Sequence, residues 1–297
     1  MKITHLKHIN IDKSKWDNTI SNSLNHMFYA YSWHLDIVSP GWEALISDNY
    51  EYLMPLPVKK KYLIKYIVQP ILTQQLGIFS SKIIEKEIIF QFIQRIPYLS
   101  YELNLNEANK IEGSTTLPNL ILMLNKKYVD ICKSYSKNTV RNIEKAKKSE
   151  LKINENITIN HFIEFILAST QLYDNNISTI KHLIEVGLSE NIFQLLGVID
   201  NKNELTCVLC LAKTKNRIIY LLPVSNEIGK SISAMFFLID YLIQQNSNSI
   251  LTLDFEGSRI DGIARFYKGF GATLKPYYMI KRCRPIIKIS NILSKPD

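Results

Sequence analysis

ISDNYEYLMPLPVKKKYLIKYIVQP, at residues 46–70, runs parallel to VIDNKNELTCVLCLAKTKNRIIYLLPV, at residues 198–224. Each stretch begins with an aspartate-containing turn, which is followed by two apolar runs with a short polar turn between them. Short apolar runs bounded by polar turns predict antiparallel strands. The two stretches therefore predict the same arrangement of strands in each half of the chain.

The similarity extends beyond these stretches at a nearly constant spacing of 152 to 154 residues. Three pairs keep this spacing: Asp48 with Asp200, Tyr66 with Tyr220, and Glu102 with Asp254. A repeat of this length indicates a duplicated domain, since solenoid repeats span roughly 20 to 50 residues; chance similarity of short polar turns is the alternative. A chain of 297 residues also suits two domains of about 150 residues. We predict domains at 1–135 and 136–297, the second beginning with a basic helix.

The two halves have the same predicted order of secondary-structure elements. Helices come first, then antiparallel strands, a polar loop, an amphipathic helix and a strand that ends in an acidic residue. This order predicts an α+β fold. In the second half we predict one helix over 127–149, another over 230–245, and strands at 249–255 and 272–281.

The sequence shows no signal for a membrane span, a signal peptide or a metal site. Apolar runs are shorter than the ~20 residues of a membrane span, and the N-terminal residues lack the apolar core of a signal peptide, so we predict a cytoplasmic protein without a membrane span. The histidines and cysteines show no metal-ligand spacing, which predicts no metal site. Cys207 and Cys210 lie in a predicted strand and are expected to be buried thiols.

The net charge of +9 is concentrated in the predicted basic helix. Nine basic and three acidic residues lie between Lys126 and Lys152. Four of the basic residues fall on one helical stripe: Lys137, Arg141, Lys145 and Lys148. Such a stripe would attract the phosphates of CoA, a nucleotide-linked sugar or a charged tRNA, or an anionic envelope surface. A solvated helix face is the alternative.

The segment NEIGKSIS follows a predicted strand and precedes an apolar helix. Its anion-binding candidates are the amides near Gly229, the hydroxyls of Ser231 and Ser233, and the charge of Lys230. A strand, a short loop with glycine and then a helix is an arrangement that holds pyrophosphate. Ordinary capping of the helix is the alternative.

The segment SILTLDFEGS ends in two carboxylates. In a strand, alternation would place Asp254 and Glu256 on one face, about 7 Å apart. Carboxylates in this position suit proton transfer. Surface ion pairs with Arg259, Arg265 or Lys268 are the alternative.

Three of these segments resemble one family. Residues 226–231 resemble the pyrophosphate loop of GNAT acyltransferases. Residues 136–150, SKNTVRNIEKAKKSE, resemble the basic segment of the tandem-GNAT branch that contains Fem-type peptidyltransferases and acetyltransferases of polysaccharide and cell-envelope pathways. FYKGFG, at 266–271, resembles the Phe-Lys-x-x-Phe-Gly signature of that branch; Tyr267 occupies the position of its lysine, and Lys268 follows.

The resemblance implies two tandem GNAT-like domains, each a mostly antiparallel mixed sheet flanked by helices. It implies acyl or aminoacyl transfer to an amine in a cleft between the two halves, in cell-envelope or polysaccharide metabolism. Acyl-CoA, with acetyl-CoA as the expected form, or aminoacyl-tRNA would be the donor, with no metal; an amine-bearing envelope precursor would be the acceptor and tRNA a partner. An inactive GNAT-like protein that binds a ligand or RNA is the alternative.

The resemblance also implies roles for individual residues. Glu256 is the expected base. The other catalytic candidates are Asp254, Tyr267 and Lys268. The cofactor-binding candidates are Asn226, Gly229, Lys230, Ser231 and Ser233. The substrate-binding candidates are Gln74, Gln75, Tyr31, Trp33, Arg141 and Arg259. For Tyr31 and Trp33, packing in the core is the alternative.

Overall fold

The computed structural model describes residues 1–257 and 259–283. The chain divides into two compact units. The first unit contains Met1–Leu117 and the segment that begins at Pro276, and the second contains Pro118–Lys275. The predicted boundary between residues 135 and 136 therefore lies inside the second unit, and residues 276–283 belong to the first.

Both units contain strands and helices. The first unit contains β1 (Ile3–Leu6), α1 (Lys13–Asn22), α2 (Ser32–Val38), β2 (Glu43–Ser47), β3 (Leu53–Leu56), β4 (Val58–Lys61), β5 (Ile64–Ile67), α3 (Lys86–Gln94), β6 (Tyr101–Leu105) and β7 (Thr115–Leu117). The second unit contains β8 (Leu120–Met123), α4 (Tyr128–Cys132), α5 (Lys137–Lys148), β9 (Lys152–Asn154), α6 (Ile159–Ser169), α7 (Ile177–Ser189), β10 (Phe193–Ile199), β11 (Leu205–Lys213), β12 (Arg217–Ser225), α8 (Glu227–Ser231), α9 (Ala234–Asn246), β13 (Thr252–Asp254), α10 (Asp261–Lys268) and β14 (Thr273–Leu274). The chain then returns to the first unit as β15 (Tyr277–Arg282).

The sheet of the second unit has the strand order β14-β8-β13-β12-β11-β10-β9. Its long strands β10, β11 and β12 are almost entirely buried, as expected for strands covered on both faces. The antiparallel pairing of β10 with β11 and of β11 with β12 forms the predicted meander.

The first unit has the orders β1-β2-β3 and β4-β5-β6-β15-β7. Residues 76–79 join these two sets of strands. Phe79 N donates to Leu53 O at 2.8 Å on one side, and Leu76 N donates to Asn104 O at 2.9 Å on the other. With this segment, the strand order matches that of the second unit position by position. The three residue pairs that kept a constant spacing lie at or beside corresponding strands: Asp48 and Asp200 after β2 and β10, Tyr66 and Tyr220 in β5 and β12, and Glu102 and Asp254 in β6 and β13.

Each sheet takes one strand from the other half of the sequence. In the first unit, β15 lies between β6 and β7 and is antiparallel to both. In the second unit, β8 lies between β13 and β14 and is antiparallel to both. Pro118 and Pro276 stand at the two points where the chain passes between the sheets; proline cannot donate to a ladder and so ends the preceding strand.

Three predicted elements are wrong in their continuity. The strand predicted at 272–281 is two strands, β14 and β15, in different sheets, because Pro276 interrupts the ladder. The basic helix predicted over 127–149 is interrupted before Ser136, whose side chain caps α5 by accepting from Thr139 N. The helix predicted over 230–245 is divided into α8 and α9 at Ser233, which has a left-handed φ of 63°.

The buried carboxylate of Glu43 connects several elements of the first unit. His5 Nε2 lies 2.6 Å from one of its oxygens, and Lys65 Nζ donates to the other at 2.9 Å. Lys7 Nζ donates to both at 3.1 Å, and the Tyr98 hydroxyl donates as well. Burial alone would raise the pKa of Glu43, but hydrogen bonds from Tyr98, Lys65, Lys7 and His5 outweigh it and lower the pKa to about 2.

We predict that Glu43→Gln destabilises the first unit in a pH-dependent way. A carboxylate with a lowered pKa stabilises the fold above its unfolded pKa, here 4.5, and this stabilisation is lost as the pH falls towards 2. The lowered pKa corresponds to about 3 kcal/mol at neutral pH. Urea denaturation should show a large difference between Glu43→Gln and wild type at pH 7 that closes near pH 2. Glu112→Gln, at an exposed position, is the control, and a pH-independent difference would contradict the prediction.

We also predict that truncation after Lys275 unfolds the first unit and spares the second. The truncation removes β15 and leaves the ladder edges of β6 and β7 without a partner. Hydrogen exchange should show loss of amide protection in β6 and retained protection in β10 and β11. Truncation after Cys283 keeps β15 and is the matched control; equal protection of β6 in both truncated chains would refute the prediction.

Candidate active site

The parallel ladder between β12 and β13 is short. It pairs residues 217–219 with 252–254, whereas β12 continues to Ser225. An extra residue, Leu221, forms a bulge where β12 pairs with β11, and a bulge bends the strand that contains it. Along residues 220–225, this edge of β12 forms no ladder with β13. The end of the ladder is therefore a place where an extended ligand can bind backbone groups.

A buried ion pair joins the first paired residue of β12 to the last paired residue of β13. Arg217 Nη1 donates to Asp254 Oδ2 at 2.5 Å, and Asp254 is only 2% exposed. Asp254 Oδ1 accepts from the backbone N–H of Glu256 at 2.9 Å. Asp254, a catalytic candidate, thus holds the chain after β13 in position and places Glu256.

Glu256 does not share a strand face with Asp254, so this part of the prediction is wrong. β13 ends at Asp254, and Glu256 has a left-handed φ of 60°. Gly257 also has a positive φ, 66°, and a Cβ there would lie 2.5 Å from Pro118 O. Close packing against Pro118 explains this glycine, and the strand alternation stops before the second carboxylate.

The negative charge of Glu256 acts on two tyrosines. Burial, and then the negative charge of Glu256, raises the pKa of Tyr173. Burial raises the pKa of Tyr267 too, with contributions from Glu256 and Tyr173. Both phenols therefore stay protonated at neutral pH and can act as hydrogen-bond donors.

Tyr267 is held rigidly by aromatic neighbours. It lies in α10, stacks on Phe255 with ring centroids 4.7 Å apart, and meets the ring of Tyr220 edge-on at 5.8 Å. Packing on this scale fixes the position of the hydroxyl. Tyr173 lies between α6 and α7, in the segment TQLYDNN, and sequence reasoning missed it. A lone aromatic residue in a polar stretch was its only signal.

Lys268 lies in a different recess from the tyrosines. Consecutive residues of a helix point about 100° apart, and Lys268 is exposed whereas Tyr267 is buried. It lines a pocket of about 570 Å³ at the start of α5. The lining residues are Ser136, Asn138, Thr139, Phe236, Gly262, Arg265, Phe266, Lys268 and Gly269.

This pocket combines cations with an aromatic wall. Arg265 and Lys268 supply two positive charges. The rings of Phe236 and Phe266 meet edge-to-face with centroids 4.6 Å apart. Arg141, a substrate-binding candidate, adjoins the pocket because its Nη2 donates to Asn138 Oδ1 at 2.8 Å. The pocket suits a ligand with phosphate and apolar or aromatic parts.

The predicted pyrophosphate loop is partly occupied by its own side chains. Asn226 Oδ1 accepts from Gly229 N at 2.8 Å, and Asn226 Nδ2 donates to Leu205 O at 3.1 Å. A Cβ at Gly229 would lie 2.0 Å from Thr206 O. Close packing on β11 thus requires the glycine, and one amide of the loop is already bonded.

The remaining loop candidates also have partners in the second unit. Lys230 forms an exposed ion pair with Glu227 at 2.6 Å. Ser231 donates to a carbonyl oxygen of its own helix at 2.7 Å. The Ser233 hydroxyl donates to Asn142 Oδ1, in α5, at 2.8 Å. These contacts assign helix capping and packing to the loop, and cofactor binding there stays a prediction.

Gln74 and Gln75 lie in the first unit and serve its structure. Gln75 is fully buried, so it cannot line an accessible wall for a substrate. Its Oε1 accepts from Glu107 N at 3.1 Å, and its Nε2 donates to Gln74 Oε1 at 2.8 Å. Asn104 Nδ2 donates to Gln74 O at 2.9 Å. Both glutamines thus hold the 76–79 segment beside β6.

The other substrate-binding candidates are Tyr31, Trp33 and Arg259. Tyr31 and Trp33 are half-buried; the Tyr31 hydroxyl lies 3.1 Å from His26 Nε2, and the Trp33 ring meets that of His34 at 5.6 Å. Arg259 is exposed. Substrate binding by these three residues stays a prediction.

Two findings concern metal and thiol chemistry. Within residues 1–257 and 259–283, no cluster of three or more histidine, cysteine or acidic side chains is arranged to bind a metal ion. Cys207 and Cys210 are both buried in β11, as predicted, and burial raises the pKa of both thiols.

Among the described residues, no helix combines the length and apolarity needed to cross a membrane.

The chain is similar in fold to solved structures at low sequence identity. FemX is 11% identical, with a TM-score of 0.67 over 97% of this chain and 99% of FemX. The C-terminal domain of a putative lysylphosphatidylglycerol synthetase from Agrobacterium fabrum is 10% identical, with a TM-score of 0.57 over 95% of this chain and 94% of that one. A tandem GNAT protein from the clavulanic acid biosynthesis pathway is 8% identical, with a TM-score of 0.54 over 95% and 99%.

These similarities confirm the predicted α+β fold of two GNAT-like domains and its likeness to Fem-type proteins. No protein-family model matches the sequence, and no curated protein matches it.

We predict that Asp254→Ala destabilises the second unit strongly. The change leaves the buried Arg217 guanidinium without its carboxylate, and breaking a buried pair costs about 3–5 kcal/mol. The double variant Arg217→Met/Asp254→Leu removes both charges and should cost less. Urea denaturation measures both, and a single variant no less stable than the double would exclude this role for the pair.

Proposed function

We propose that the second unit catalyses transfer of an acyl or aminoacyl group to an amine. The observation that carries the proposal is the position of Glu256, two residues beyond the end of the β12–β13 ladder and hydrogen-bonded through its N–H to Asp254; its charge also helps to raise the pKa of Tyr267 and of Tyr173. One carboxylate with two protonated phenols supplies both a proton acceptor and hydrogen-bond donors. The FemX-like fold supports this class of reaction.

The amine must lose a proton to attack a carbonyl carbon. In our proposal Glu256 accepts that proton. The Tyr267 hydroxyl donates a hydrogen bond to the developing oxyanion or to the leaving group. Tyr173 keeps the carboxylate in position beside Tyr267. The edge of β12 along 220–225 binds the extended part of the acyl donor through backbone hydrogen bonds.

The cationic pocket supports the proposed class of donor. Acyl-CoA, with acetyl-CoA as the expected form, and aminoacyl-tRNA both carry phosphates and an adenine ring. Arg265 and Lys268 pair with phosphate, and Phe236 and Phe266 suit an aromatic base. This pocket has more unoccupied donors than the 226–233 loop, where Asn226 already bonds Gly229 N. We propose an amine-bearing precursor of cell-envelope or polysaccharide metabolism as the acceptor.

Glu256→Gln is expected to separate chemistry from donor binding. The variant should lose about 10²–10⁴-fold in kcat at pH 7, because the general base is absent. The deficit should shrink at a pH where the acceptor amine is already neutral. Thermal stabilisation by the donor should be retained. Initial rates across pH with acetyl-CoA, longer acyl-CoAs and aminoacyl-tRNA measure this, with Glu190→Gln, at an exposed position, as the control.

The donor site is tested by charge reversal. Arg265→Glu/Lys268→Glu should abolish stabilisation by the donor, whereas Gly229→Asp should do so only if the 226–233 loop holds it. Stabilisation by tRNA alone, without transfer and without change in Glu256→Gln, would favour an RNA-binding protein. No stabilisation by any of these donors would exclude the proposed transferase.

A further inference from the structure

We propose that the hairpin between β4 and β5 inserts its tip into the surface of an anionic lipid bilayer. The tip consists of Tyr62 and Leu63, which connect the strands as a two-residue turn. The inference is independent of the proposed acyl transfer, because it rests on a different part of the chain.

The tip presents apolar side chains to solvent. Tyr62 is 87% exposed, Leu63 is 84% exposed and the adjacent Ile64 is 42% exposed. Single exposed apolar residues are common on protein surfaces. Three consecutive ones at the end of a hairpin form an apolar point. The Lys61 ammonium lies over the Tyr62 ring, 5.8 Å from its centroid, and still leaves Tyr62 87% exposed.

The turn is also unfavourable for these residues. Tyr62 has a φ of 48° and Leu63 a φ of 71°. Two-residue hairpin turns with positive φ at both positions favour Asn-Gly or Asp-Gly, because larger side chains are strained there. Strain of this kind persists where a side chain serves a function. The tip therefore keeps its large apolar groups at the expense of its own stability.

The strands beneath the tip are strongly basic. Lys59, Lys60 and Lys61 precede the turn and Lys65 follows it, and residues 52–84 contain no aspartate or glutamate. Lys60 and Lys65 are directly opposite each other in the ladder, and like charges in that position destabilise a hairpin. Lys65 is partly balanced by Glu43, at 2.9 Å. The remaining charge complements an anionic surface.

A bilayer fits this surface better than a protein partner does. A stable protein interface needs about 800 Å² from each partner, whereas a tyrosine and a leucine together offer only a few hundred Å². A bilayer needs no matching cavity, and tyrosine is enriched at the level of the lipid headgroups. Lysines close to an anionic leaflet add attraction. A small apolar tip surrounded by lysines is therefore suited to peripheral attachment.

The test is co-sedimentation of the full chain with vesicles of phosphatidylcholine alone and with 30% phosphatidylglycerol. Wild type should bind only the anionic vesicles, and binding should weaken with salt. The triple variant Lys59→Gln/Lys60→Gln/Lys61→Gln should bind about a hundredfold more weakly, from about fivefold per lysine. Lys152→Gln/Lys202→Gln/Lys215→Gln, at exposed positions of the second unit, is the charge-matched control and should bind as wild type.

Tyr62→Asn/Leu63→Gly separates binding from folding. Asn-Gly is the favoured turn sequence, so this variant should unfold at the same or a higher temperature than wild type. It should nevertheless lose vesicle binding. Ile250→Ser, at a position that is 80% exposed in the second unit, should bind as wild type.

Three results would overturn the proposal. The first is equal binding of wild type to neutral and anionic vesicles or to neither. The second is wild-type binding by the Asn-Gly variant. The third is self-association of wild type, without vesicle binding, that disappears in Tyr62→Asn/Leu63→Gly, because the tip would then be an interface between copies of the chain.

Discussion

Each sheet of this protein depends on a strand from the opposite half of the sequence. β15 completes the ladder between β6 and β7, and β8 completes the ladder between β13 and β14. Without these strands, backbone donors and acceptors in the interior of each sheet would have no partners, which a buried sheet does not tolerate. The two prolines at the crossings keep the exchanged strands separate from the strands that precede them. Every other element is arranged around two sheets closed in this way.

The two sheets differ at one corresponding place, and this difference supports our proposal that the chemistry lies in the second unit. In the first unit, the chain makes an excursion after β5, returns at residues 76–79 and pairs again with β6 at Leu105. Gln75, buried and hydrogen-bonded, fixes that return. In the second unit, β12 pairs with β13 over three residues and then continues to Ser225 paired only with β11. Glu256 follows the end of the short ladder in the second unit, whereas the 76–79 segment covers the equivalent edge in the first unit.

Periodicity and turn chemistry were enough to predict the repeat, the α+β class and the long strands β10 to β12. These features depend on local patterns that persist over many residues. The predicted continuity of 272–281 failed because hydrophobic pattern carries no information on which sheet a strand joins. Glu256 was selected as the base from a strand alternation that its left-handed backbone interrupts, and its role stays a prediction. Tyr173 was not predicted from the sequence, because the carboxylate that acts on it electrostatically, Glu256, is about 80 residues away in sequence.

Two serines interrupt helices that the sequence pattern predicted to be continuous. Ser136 and Ser233 both lie at the starts of helices, and each ends a periodic pattern that continues across it in sequence. Their hydroxyls form hydrogen bonds within the second unit, to Thr139 N and to Asn142. Asn142 is close in sequence to Arg141, so the same helix that approaches the cationic pocket also anchors α9.

The exchange of strands has a consequence for synthesis on the ribosome. All strands of the second unit lie between residues 118 and 275, whereas the first unit contains β15 at Tyr277–Arg282. Domains often fold in the order of their emergence, but here the earlier-translated unit must wait for β15, which follows the whole second unit in the sequence. Its β6 and β7 stay exposed during elongation, when unpaired strand edges favour aggregation. Nascent chains of this protein should therefore require protection by chaperones until β15 has left the exit tunnel.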